Sequence, residues 1–271
     1  MTRTRSVILC LFVLLASCGT AMSAGISMLG GMTRQATVQP GSRTEGKIFL
    51  RNTSDQPHEV KVYQTDYMFY ADGKNMYGDP GKTVRSNASW ITFTPHQFTI
   101  PPGETSTVYY TIQAPADNKL NGTYWSLLMV EPIAPGSLEP PKPKKDEVLV
   151  GVKTVMRYAV QMVTTIGDTG SRNIKFINKQ LSNENGKLFL QLDIENTGER
   201  WLNPQIWAEI YDESGASLGR FEGNKMRLYP ECSGRFRIDF SQLPKGKYNA
   251  LVVADNGDEN VFGSQYNLEI Q

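Results

Sequence analysis

The chain has 271 residues, enough for one or two ordinary domains, and its 39% apolar and 20% charged content excludes a disordered polymer. Its 28 Lys and Arg against 27 Asp and Glu give a net charge of +1, which excludes a general electrostatic pull towards nucleic acid or anionic lipid. Of the three cysteines, Cys10 and Cys18 lie in the first 24 residues, so Cys232 stands alone in the body and an internal disulfide there is excluded.

Residues 1–24 read as a targeting segment. Arg3 and Arg5 precede an apolar core, "VILCLFVLLA", too short to span a bilayer. Two ends are open. "LASC" (residues 15–18) has the pattern of a bacterial lipobox, in which Cys18 is acylated and becomes the mature N-terminus. "AMSAG" (residues 21–25) has the pattern of an ordinary small-residue cleavage site. Either predicts export, to the periplasm or cell envelope, and loss of Arg3 and Arg5 leaves a net charge of −1.

Alternating apolar segments bounded by turn residues then recur to the end of the chain. "EGKIFLRN", "HEVKVYQTDYMFY", "SWITFTPHQFTI", "TSTVYYTIQA" and "GTYWSLLMVEP" predict strands in the first half. The Pro-rich, basic stretch "PIAPGSLEPPKPKK" follows as a loop. After it, "EVLVGVKTVMRYAVQMV" predicts a long strand whose one register is Val148, Val150, Val152, Thr154, Met156, Tyr158, Val160 and Met162. The other register carries Lys153, Arg157 and Gln161. "NIKFINKQL", "KLFLQLDIEN", "PQIWAEIYD", "GRFRIDF", "KYNALVVAD" and "QYNLEIQ" predict strands in the second half. Strands at this spacing, with Gly and Asp in turns such as "ADGK" and "DESG", predict an all-β protein of Ig-like sandwiches.

The two halves also match in order. "FLRNTSDQPHEVKVY" (residues 49–63) parallels "LDIENTGERWLNPQIWAEIY" (residues 192–211), a strand, an Asn-Thr turn and a second strand. "IPPGETSTVYYTI" parallels "LYPECSGRFRIDF". "LNGTYWSLLMV" parallels "LPKGKYNALVV", with Tyr124 and Tyr248 placed as in the tyrosine corner of Ig-like sandwiches. Three matched blocks predict two sandwich modules, residues 25–167 and 168–271.

Chemistry-bearing constellations are few. "GDPGKT" (residues 78–83) resembles the end of a phosphate loop, but the Gly four residues before Pro80 is Met76 and no helix follows. "DGKNMYGD" lacks the spacing and terminal Glu of a calcium loop. His58, His96 and Cys232 make neither a zinc set nor a nucleophile pair, and no G-x-S-x-G element occurs. Cys232, in "YPECSG", reads as a small turn-adjacent residue. The expectation is a protein without catalytic activity, cofactor, metal or small-molecule substrate.

The stretches "MTRQATVQPGSRTEGKIFLRNTS", "SWITFTPHQFTIPPGETSTVYYTI", "GTYWSLLMVEPIAP" and "VLVGVKTVMRYAV" resemble the N-terminal domain of the PapD-like periplasmic pilus-assembly chaperones. The second half resembles that family only as another Ig-like sandwich. The resemblance implies two Ig-like domains arranged around a cleft, and protein partners that are subunits of fimbriae or the cell surface. It implies that Arg34 and Arg157 anchor a subunit's C-terminal carboxylate. It also implies that Val148, Val150 and Val152 are donated to the subunit by β-strand addition. Arg157 stands where the family commonly has Lys, and a guanidinium fork suits bidentate grip on a carboxylate. The alternative reading is a structural or adhesive envelope lipoprotein held through Cys18.

Overall fold

The computed structural model describes residues 25–133 and 156–271. The fold is all-β, with two sandwiches. In chain order, β1 (Ile26–Leu29), β2 (Thr33–Val38), β3 (Arg43–Asn52), β4 (His58–Phe69), β5 (Asn75–Gly78), β6 (Ile91–Thr94), β7 (Gln97–Ile100), β8 (Thr105–Gln113), β9 (Gly122–Ile133) and β10 (Tyr158–Ile166) build two facing sheets. One has the order β1-β3-β8-β6. The other has the order β2-β10-β9-β4-β5, with β7 also on β4. Period-two patterning drives this packing: β3 buries Ile48 and Leu50 and turns Lys47, Phe49 and Arg51 outward. Val60, Val62, Val108, Ile112, Leu128, Val130, Val160 and Met162 complete the first core. β9 departs from alternation because both of its faces are covered, which is why residues 122–130 are almost all buried.

β11 (Ile174–Glu184), β12 (Lys187–Asn196), β13 (Gln205–Tyr211), β14 (Ser217–Lys225), β15 (Ser233–Asp239), β16 (Gly246–Asp255) and β17 (Val261–Ile270) form the second half. They make one sheet of order β11-β12-β15-β14-β13-β16-β17. β14 bonds β13 along its length but meets β15 only at Gly223↔Ile238. The sheet folds over at that point, and its two leaves enclose Leu190, Leu192, Ile194, Ile206, Ile210, Phe236, Ile238 and Val252. Gly223 is required there, since a Cβ would lie 2.6 Å from the Arg237 carbonyl oxygen.

In the first half the structure differs from the sequence reading in one stretch and extends it in another. "SWITFTPHQFTI", read as one strand, is two: β6 bonds β8 in one sheet, and β7 bonds β4 in the other. Pro95, which has no N–H to give a ladder, marks the crossing. The long stretch "FYADGKNMYGDPGKTVRSNAS" holds β5, which makes a hairpin with the end of β4.

The matched blocks are the same turn built twice. Asn52 and Asn196 are both fully buried. Each donates through Nδ2 to a carbonyl four residues on and to one across the sandwich: Gln56 and Ile100 for Asn52, Arg200 and Leu228 for Asn196. Each accepts through Oδ1 from the N–H two residues on, at Ser54 and Gly198. Even their own N–H groups go to matched carbonyls, of Glu104 and Cys232. Replacing Asn196 with Ala takes the donor from the Arg200 carbonyl and one of two bonds from both the Leu228 carbonyl and the Gly198 N–H, so about 1–2 kcal/mol of stability should be lost. Urea denaturation checks this, and a loss under ~1 kcal/mol would show that the turn closes without it. Tyr248 donates to the Pro244 carbonyl, as a tyrosine corner does. Tyr124, its counterpart, instead packs its ring 4.6 Å from Trp90, with Arg85 5.4 Å above it.

Candidate functional site

Opposed residues of paired strands share a face. β9 opposes Trp125 to Val163, Leu127 to Gln161 and Met129 to Ala159, so the odd-numbered residues of β10 lie on the outer face of the sandwich. Val160 and Met162 point into the core. Arg157, one residue before β10, extends the outer row. Its Nε lies 3.6 Å from Glu131 Oε2, and its side chain is 58% exposed. The Tyr63 hydroxyl donates to the same Glu131 oxygen at 2.9 Å. Burial and the Glu131 carboxylate raise the Tyr63 pKa, while Arg157 opposes that rise. The result is a cation held loosely by an acid and a phenol at one end of β10.

β2 runs parallel to β10 only from Thr33↔Gln161 to Val38↔Ile166. Upstream, Tyr158–Val160 bonds β9 on one side, and no strand among the described residues pairs with its other side. Arg157 therefore stands beside a short backbone edge that no strand among the described residues covers.

The expected pairing of Arg34 with Arg157 is corrected by the register. Arg34 lies opposite Met162, on the core side of the sheet, and Ala36 and Val38 follow it inward. Its Nη1 donates to the Gly31 carbonyl at 2.6 Å, and its charge acts on Tyr110 of the facing sheet. Because side chains alternate along a strand, Arg34 projects from the face opposite to the outer row that Arg157 extends. Val148, Val150, Val152 and Cys18 lie outside the described residues.

The outer face of β9 and β10 is also where the second half docks. The Trp125 ring stacks on Tyr229, with centroids 4.9 Å apart and planes 14° apart. Met68, Val163 and Cys232 fill around them. The Tyr229 hydroxyl donates to Gln161 Oε1 at 2.6 Å, and Trp125 Nε1 donates to the Tyr67 carbonyl at 2.8 Å. Cys232 lies 4.0 Å from the Met68 sulfur, and burial pushes its thiol up to about 12, so at neutral pH it is packing material and not a nucleophile. Backbone contacts complete the joint: Thr123 N donates to Glu199 O at 2.8 Å, and Trp201 N to Thr123 Oγ1 at 3.1 Å. Glu199 accepts from Ser171 and Asn121 and faces Arg85 at 3.4 Å, and these partners hold its pKa down against burial. Gly122 and Gly170 touch backbone to backbone, where a Cβ on Gly170 would lie 2.5 Å from the Gly122 Cα.

The hairpin of β4 and β5 braces this joint. Phe69 meets Tyr229 edge-on at 6.1 Å, and Ala71 N donates to Ser233 Oγ. At the hairpin base, the loop read as a failed phosphate loop does cradle an anion, but one from its own chain. Gly81 N, Lys82 N, Thr83 N and Ser86 Oγ all donate to the Asp66 carboxylate.

Of three further residues that shape this region, one had a local signal in the sequence and two did not. Gln161 was visible in the outer row with Arg157. Tyr229 and Arg227 were not, since "MRLYP" has no feature beyond its composition. Arg227 stacks 4.4 Å from the Trp201 ring, and its buried Nη1 has no hydrogen-bond partner among the described residues. Its charge favours ionisation of the neighbouring Tyr229, against a larger rise from burial. Among the described residues, no three His, Cys, Asp or Glu side chains converge as metal ligands, and no helix is long and apolar enough to cross a membrane.

No protein-family profile matches the sequence, and no curated protein matches it. Solved structures do resemble the fold. A chaperone–tip adhesin complex of CFA/I fimbriae biogenesis superposes with a TM-score of 0.49 at 12% identity, covering 91% of this chain and 99% of that one. The class 5 fimbriae chaperone CfaA gives 0.46 at 12% identity, with the same coverage of 91% and 99%. CsuC–CsuE, a chaperone–tip adhesion subunit pre-assembly complex from archaic chaperone–usher Csu pili of Acinetobacter baumannii, gives 0.43 at 15% identity, covering 90% and 98%. Likenesses of this strength leave function to the chain's own residues.

Proposed function

We propose that this is an exported, chaperone-like protein that binds subunits of fimbriae or the cell surface by β-strand addition. The observation that carries the reading is the exposed Arg157 at the end of the Tyr158–Val160 edge, which no strand among the described residues covers. Backbone groups of that edge would supply ladder bonds to an extended client segment, and Arg157 would fix its register by gripping a carboxylate. The present partner, Glu131, is no obstacle. An exposed ion pair is worth about 0–1 kcal/mol, so a client carboxylate can take its place. Arg34 has no part in this grip. The rigid joint would present the edge at a fixed angle to the second half. The client class is the one the resemblance in sequence implies.

Replacing Arg157 with Ala should abolish pull-down of client subunits while leaving the melting temperature within about 1–2 °C, because the side chain is mostly exposed. Equal capture of clients by the Ala variant would remove the anchor role. Arg157→Lys should keep partial binding, since it retains the charge but not the fork.

A further inference from the structure

We propose that β17 is a self-association edge, pairing antiparallel with β17 of a second copy, independently of any client on β10. Exposed strand edges are usually guarded by shortness, charge, proline or a bulge. The other terminal strands of the three sheets carry such guards among the described residues. β1, β5, β6 and β7 are four residues each, and β2 is six. β11, the opposite edge of the second half, is long but carries Lys175 and Lys179, and its register breaks between Phe176 and Asn178. β17 has none. Its register with β16 is unbroken from Gly246↔Ile270 to Asp255↔Val261, and it contains no proline, no basic residue and one acid, Glu269.

The occupant is argued from the strand's own pattern. Val261, Gly263, Gln265, Asn267 and Glu269 face solvent, while Leu268 and Ile270 are buried and Phe262 and Tyr266 pack on the second core. A two-fold pairing that keeps the exposed row on one face has its centre at Gln265 or Tyr266. In the first case Glu269 stands opposite Val261 and Gln265 opposite Gln265. In the second Glu269 stands opposite Gly263 and Gln265 opposite Asn267. Neither sets like charges together, and both oppose amides that bond one another. The strand is thus self-complementary along its length, as an isologous interface requires.

The test uses the purified leaderless chain in sedimentation velocity from about 1 to 100 µM, a range that brackets micromolar association. The wild type should shift from monomer to dimer. The double variant Gln265→Lys/Asn267→Lys sets Lys against Lys in either register and should raise the dissociation constant about tenfold or more. The matching Gln265→Glu/Asn267→Glu variant should also dissociate, and an equimolar mixture of the two should dimerise again. Both sites are exposed, so the melts should match wild type. A wild type that stays monomeric throughout, a Lys variant that dimerises normally, or a mixture that stays monomeric each overturns the proposal.

Discussion

Tyr229→Ala should cost about 3–5 kcal/mol and split one unfolding transition into two, because the ring it removes is the centre of the joint. Tyr229 is 1% exposed and lies between Trp125 and Phe69, with its hydroxyl on Gln161. Truncation leaves a cavity bounded by two separately cored sandwiches, and neither core can collapse into it without moving the other. Coupling between the halves should therefore fall more than the stability of either one. Differential scanning calorimetry checks this. Tyr229→Phe is the control: it keeps the stack and loses one hydrogen bond, about 1 kcal/mol, with one transition retained. A Tyr229→Ala protein that still melts as a single unit would show that the backbone seam at Gly122, Thr123 and Glu199 holds the halves by itself.

Asp66→Ala should cost about 3 kcal/mol or more. The carboxylate is 1% exposed, and its removal strands three backbone N–H groups and the Ser86 hydroxyl. The same site sets part of the acid response. Burial alone would raise the Asp66 pKa, but hydrogen bonds from Ser86, Thr83, Gly81 and Lys82 outweigh it, and the folded value lies below the ordinary one. A group whose pKa is depressed by folding stabilises the fold above its unfolded value, ~3.9 for Asp, and loses that contribution as pH falls through the folded value. The wild type should thus show an extra loss of stability below about pH 4 that Asp66→Asn lacks. Denaturant midpoints measured from pH 7 to pH 2.5 test it, and parallel curves for the two proteins would remove Asp66 from the acid response.

Much of the fold was legible because period-two patterning and turn chemistry are local. The β4, β8 and β12 segments stand out as alternating runs, and the Asn-Thr turns flag the duplication that Asn52 and Asn196 make concrete. β14 was missed for a physical reason. "SLGRFEGNK" has two glycines and a weak apolar row, and Gly223 is there for close packing at the fold of the sheet, not for strand propensity. The role of the β5 hairpin was not legible, because it lies in Phe69 and Ala71 reaching residues more than 150 positions away. Arg157 was legible because a cation interrupts a valine-rich strand. Its face was not, since parity along β10 is fixed only by pairing with β9. Arg34 came from the resemblance alone, and its face is set by the parallel pairing of β2 with β10, which no local pattern announces. The stack of Trp125 on Tyr229 joins distant segments, and no spacing announces it.

The meeting of Gly122 with Gly170 has one more consequence. Contacts made by main-chain atoms have no rotamers to relax, so the seam behaves as a butt joint and not as a lubricated hinge. A methyl group set on Gly122 would lie 2.1 Å from the Glu199 carbonyl oxygen, and one on Gly170 2.5 Å from the Gly122 Cα, so backbone on one side of the seam must shift to admit it. The angle of the molecule is thus gauged at two positions by the absence of a side chain.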